Sequence, residues 1–135
     1  MENLTFEQAH RAVNTALALS QEKYAGRPLT VAVCDRSGVL LAYARMDGTK
    51  AFTATLTQRK AYTAAQFGIP TAKLLERLQK ENLALSYFAD DNFSPLPGGI
   101  PILRGQTVIG AVAVGGISVA EDVEAAELIV SALSE

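Results

Sequence analysis

The chain has 135 residues, with 12 Lys and Arg against 14 Asp and Glu, one His, one Cys and no Trp. A hydrophobic share of 49% with only 19% charged residues excludes disorder from a shortage of apolar side chains, and the length is that of a single domain over residues 1–135. A net charge of −2 offers no basic field for nucleic acid, one Cys forms no internal disulfide, and one Cys with one His does not furnish a tetrahedral zinc site.

The first residues, M-E-N-L-T-F-E-Q, are polar and acidic where a secretory leader is basic and then apolar. No apolar run approaches the roughly 18 residues that cross a bilayer. A soluble, cytoplasmic protein is the expectation. Of the apolar residues 22 are Ala, while aromatics make up 7%, which favours close packing of helices and strands over bulky side chains.

Phe6, Ala9, Val13, Leu17 and Ser20 recur at steps of three and four and predict a helix from about Phe6 to Tyr24. Thr5 with Gln8 forms a capping box at its start, and Gly26 with Pro28 stops it. Leu29–Cys34 and Val39–Met46 are rich in β-formers around the polar turn Asp35–Gly38, so a hairpin follows. Thr53–Phe67 and Thr71 to about Asn82 read as two further helices, separated by Gly68 and Pro70. The stretch Ser86–Gly99 mixes aromatics with Asp, Asn, Pro and Gly and is expected to be irregular but packed on the domain. Ile100–Leu103 and Thr107–Val114 predict a second hairpin turning about Arg104–Gly105. Ser118 and Glu121 cap a final helix whose expected buried stripe is Val119, Val123, Ala126, Val130 and Leu133. The order α-β-β-α-α-β-β-α, with no βαβ alternation, predicts an α+β fold with a central antiparallel sheet flanked by helices.

Lys60 shares a helix face with Thr53, Leu56, Thr63, Ala64 and Phe67, so its ammonium is drawn out of water. A desolvated lysine is a base or nucleophile, and one with a carboxylate beside it is an anion anchor. Arg45 and Asp47 end the second strand on the face of Val39, Leu41 and Tyr43, where Asp47 could turn toward a cleft. Gly98 and Gly99, and Gly115 with Gly116, bracket the second hairpin and allow close approach to a ligand. Glu121 and Asp122 either complement the last helix's dipole or answer a cation such as Lys60. His10, beside the first helix's stripe, is the only imidazole and so the only one that could ligate a noncovalent heme. Cys34 reads as a small core residue. No phosphate-loop or dinucleotide fingerprint is present.

The ordered blocks R-M-D-G (Arg45–Gly48), K-A-Y-T-A-A-Q-F (Lys60–Phe67), I-P-T (Ile69–Thr71), P-G-G-I-P-I (Pro97–Ile102) and I-G-A-V-A-V-G-G (Ile109–Gly116) resemble the GlcG/HbpS-like heme-binding protein family. The likeness runs over nearly the whole chain and extends to the C-terminal domain of PduO-type corrinoid adenosyltransferases. It implies a profilin-like fold, homo-oligomers, and small-molecule binding with heme or another tetrapyrrole as cofactor or ligand. It places family polar positions at Arg45, Asp47, Lys60, Gly98, Gly99, Gly115 and Gly116. Before the last helix the chain departs from the family pattern, reading Val114-Gly115-Gly116 and then Ala120-Glu121-Asp122 where relatives commonly have S-G-G and Q-D-E. Two other readings stand beside this one. One is a small enzyme acting on a carboxylate-bearing metabolite, with Lys60 and Asp47 catalytic and Arg45 or the Gly-rich loops holding the anion. The other is an accessory module without chemistry of its own.

Overall fold

The computed structural model describes residues 2–134. Its elements are α1 (Phe6–Glu22), β1 (Thr30–Asp35), β2 (Leu40–Arg45), α2 (Thr53–Phe67), α3 (Thr71–Lys80), a one-turn 3₁₀ helix (Leu85–Phe88), β3 (Gly99–Arg104), β4 (Thr107–Gly115) and α4 (Val119–Leu133). The four strands form one antiparallel sheet in the order β2-β1-β4-β3. The fold is therefore α+β in the expected order. Both expected capping boxes form, Thr5 with Gln8 on α1 and Ser118 with Glu121 on α4.

The two central strands alternate large and small side chains, and the alternation decides what each face can accept. Val31 and Val33 of β1 and Val112 and Val114 of β4 point to the face covered by α1 and α4, where they join Ala9, Ala12, Ala16, Ala125, Ala126 and Ile129 in the main core. On the opposite face Ala32, Cys34, Ala111 and Ala113 meet Ala61, Ala64 and Ala65 of α2. Side chains this short let α2 lie close against the sheet. Cys34 is buried there as expected, with its thiol donating to the Ala61 carbonyl at 3.5 Å and its pKa pushed up to about 12 mainly by burial.

Two expectations need correction. The second hairpin turns on Gly105–Gln106, one residue later than expected, because Arg104 still pairs with Thr107 and Gly105 takes the positive φ of 65° at the first turn position. The inner stripe of α4 is Asp122, Ala125, Ala126 and Ile129, while Val119 is exposed. The helix is turned by about one residue from the purely apolar reading because a charged side chain belongs to its buried face. The irregular stretch is anchored as expected: the Phe67 ring packs edge-on against Phe88 and Phe93, the Tyr62 hydroxyl donates to Asp90 at 2.5 Å, and the Ser94 N–H donates to Thr63 at 2.8 Å.

Candidate functional site

Lys60 is the largest fully buried side chain among the described residues, at 0% exposure. Its place follows from helical spacing: Thr53, Thr57, Lys60, Ala61 and Ala64 share the buried face of α2, which the alanine surface of the sheet admits at close range. The ammonium donates to the Val114 carbonyl at 2.5 Å and to the Pro97 carbonyl at 3.2 Å. Asp122 Oδ2 lies 3.6 Å from it. The other Asp122 oxygen accepts from the Ile117 N–H at 3.2 Å, so the fourth residue of α4 joins α2, the end of β4 and the segment before β3 at one point.

Burial dominates the electrostatics of this pair. It lowers the pKa of Lys60, against the pull of Asp122, and it raises that of Asp122 to about 6, against the pull of Lys60. Each partner lessens the cost of the other's charge without cancelling it. Behind them the Thr57 hydroxyl is fully buried and has no hydrogen-bond partner among the described residues. A hollow of about 280 Å³ opens beside the pair, walled by Lys50, Phe52, Leu56, Leu96, Gly116 and Asp122 among others.

The glycines of the two bracketing motifs serve this packing. A Cβ on Gly98 would stand 2.5 Å from Lys60 Nζ and 2.8 Å from the Val114 carbonyl oxygen, at a φ of 128° that side chains rarely adopt. A Cβ on Gly99 would collide with the Lys60 carbonyl, and one on Gly115 with the Thr57 hydroxyl. The expected close approach is present, but what approaches Gly98, Gly99 and Gly115 is α2 and its lysine. Gly116 remains as a wall of the hollow.

The other expected site residues scatter. Asp47 is exposed and lines a separate shallow groove with Leu17, Gly26, Pro28 and Arg45, so the acid beside Lys60 is Asp122 and not Asp47. The Asp47–Gly48 turn does not carry the carboxylate to Lys60, and beside it Arg45 bends back to donate to the Thr49 carbonyl at 3.2 Å. The two acids of α4 divide their tasks. Glu121 pairs with Arg27 and completes the cap with Ser118, which holds its carboxyl down at about 2, with the Arg27 hydrogen bond as the largest cause. Asp122 answers Lys60. His10 stands exposed on α1, its ring stacked on Phe6 with centroids 5.8 Å apart and planes 9° from parallel, and it is not among the residues that line the hollow. Thr57 and the carbonyls of Pro97 and Val114 escaped the sequence reading. Thr57 had a usable signal, one helical turn before Lys60 on the same face, but a backbone carbonyl has none.

Comparison with known proteins adds four likenesses. A family model described as "Haem degrading protein HbpS-like" matches residues 4–131. Protein GlcG of Escherichia coli K12 is 35% identical over 86 residues, a stretch covering 64% of this chain and 63% of that protein, so the match spans less than two thirds of the curated relative. Among solved structures, a double mutant of Streptomyces reticuli HbpS superposes with a TM-score of 0.89 at 28% identity, over 100% of this chain and 90% of that one. A PduOC–heme complex superposes with a TM-score of 0.85 at 24% identity, over 96% and 94% of the two chains, and shares the fold.

Proposed function

Because the chain belongs to the HbpS-like family, we propose that it is a small-molecule-binding protein whose ligand is heme or another tetrapyrrole, held without covalent attachment. The observation that supports this reading in the chain itself is the setting of its one imidazole. His10 is exposed, and the Phe6 ring stacked on it is 63% exposed, so a nitrogen donor and a flat apolar surface lie side by side on α1. That pair fits the group: imidazole is a common axial ligand of heme iron, and an aromatic ring packs well against a macrocycle. In such a complex His10 would hold the iron and Phe6 would shield one edge, with a second copy of the chain free to cover the open side. The heme would bring a redox-active iron.

Hemin titration of the purified chain, followed at the Soret band, tests the reading. A saturable shift is expected, abolished or strongly weakened in His10→Ala. No shift in the wild type removes heme, and an unchanged shift in the variant removes His10. A module without chemistry of its own would give no shift at all.

A further inference from the structure

We propose that the hollow in front of Asp122 is a second binding site, for a small monoanion with a short apolar body, and that Asp122 admits the anion in its protonated form. The site is independent of the tetrapyrrole reading, since His10 is not one of its walls.

The walls set the ligand's chemistry. Phe52, Leu56 and Leu96 offer apolar surface for a body of a few carbon atoms, and Phe52 and Leu96 stand partly in solvent at the rim. Lys50 is exposed and supplies a cation there. Asp122 and Lys60 both line the hollow, Asp122 with 4% of its surface exposed and Lys60 with none. With Asp122 ionised, its charge cancels that of Lys60. With Asp122 protonated, Lys60 and Lys50 are both uncompensated and the carboxyl O–H becomes a donor, which is the complement of an anion. The buried Thr57 hydroxyl, unpartnered among the described residues, lies against Gly115 at the wall of the hollow.

The charged groups facing Asp122 are few. Lys60 comes from α2 and Lys50 from the β2–α2 connection. Its own helix contributes Glu121, which Arg27 from the α1–β1 connection already holds. The end of β4 and the segment before β3 present the Val114 and Pro97 carbonyls to Lys60. Burial already raises Asp122 to about 6, so anion binding at neutral pH takes up a proton.

Titration calorimetry of the full chain with propane-1-sulfonate, whose charge does not titrate over this range, decides the matter. Affinity should fall by roughly tenfold or more between about pH 5 and about pH 7.5. Binding near neutral pH should take up about one proton, read from buffers of different ionisation heat. Asp122→Asn should bind with no pH dependence, and Lys50→Ala should bind more weakly at both pH values. Absence of binding at both pH values, absence of proton uptake, or the same pH slope in Asp122→Asn overturns the proposal. If Asp122→Asn does not fold, the proton count and the Lys50→Ala variant still decide it.

Discussion

At the scale of residues, the centre of this protein is one lysine and one aspartate that water hardly reaches. Lys60 stays buried because two carbonyls and a carboxylate surround its ammonium. Removing one member of such a pair leaves the other charge uncompensated, at a cost of about 3–5 kcal/mol, whereas replacing both with groups of similar size costs much less. Lys60→Met should therefore be strongly destabilised in urea unfolding, and Lys60→Met combined with Asp122→Asn should recover most of the loss. The pH dependence carries a sign. Asp122 has a folded pKa of about 6, above the roughly 3.9 of an unfolded aspartate, so the stability it contributes is present below about pH 4 and lost as pH rises toward 6. Melting temperatures across that window should fall for the wild type relative to Asp122→Asn. An equal slope in the two would show that Asp122 is not raised. Glu121 acts oppositely, since Arg27 depresses it and its contribution is lost as pH falls, but it is present in both proteins and cancels from the comparison.

Much of this was legible in the chain and some was not. The position of Lys60 on an apolar helix face follows from spacing alone, because residues three and four apart share a face whatever the helix packs against. Its partner does not follow from spacing. Asp47 and Asp122 both stand near Gly-rich turns, and only the course of β2 and α4 through space decides which one turns inward.

At the scale of elements, the contact between α2 and the sheet explains the composition. Ala32, Cys34, Ala111 and Ala113 under α2 give a shallow surface, and Gly98, Gly99 and Gly115 remove side chains where α2 comes nearest. Gly99→Ala would drive a methyl into the Lys60 carbonyl and against Thr71 Cγ2. Overpacking of this kind typically costs about 1–3 kcal/mol. The expected outcome is a lower midpoint of urea unfolding with an unchanged slope, and a midpoint equal to that of the wild type would refute the close approach. The α4 helix teaches the complementary lesson. Its capping box was readable because Ser118 and Glu121 are local to each other, but its inner face was not. A stripe chosen from apolar residues excludes Asp122, and the cation it meets inside the fold, Lys60, lies 62 positions earlier, the difference between 122 and 60.

At the scale of the whole molecule, the sheet leaves β2 and β3 as edge strands, and several large apolar side chains remain exposed, among them Phe6, Val39, Leu40, Phe52 and Tyr87. Among the described residues no helix is long and apolar enough to cross a membrane. Apolar side chains scattered over separate elements need no partner to explain them, and the homo-oligomer is an expectation of the family likeness alone. Light scattering coupled to gel filtration should give a mass that is a multiple of the 14.3 kDa chain, and the mass of a single chain would refute it.

What the sequence by itself determined is the order of elements and the two capping boxes. These depend on neighbours within a few residues, where periodicity and capping chemistry act directly. What only the tertiary structure decided is which acid meets Lys60, what the glycines make room for, and that a hollow stands before Asp122. Those are meetings between segments far apart in the chain. A glycine in sequence reports only that something comes close. The fold alone puts a lysine there.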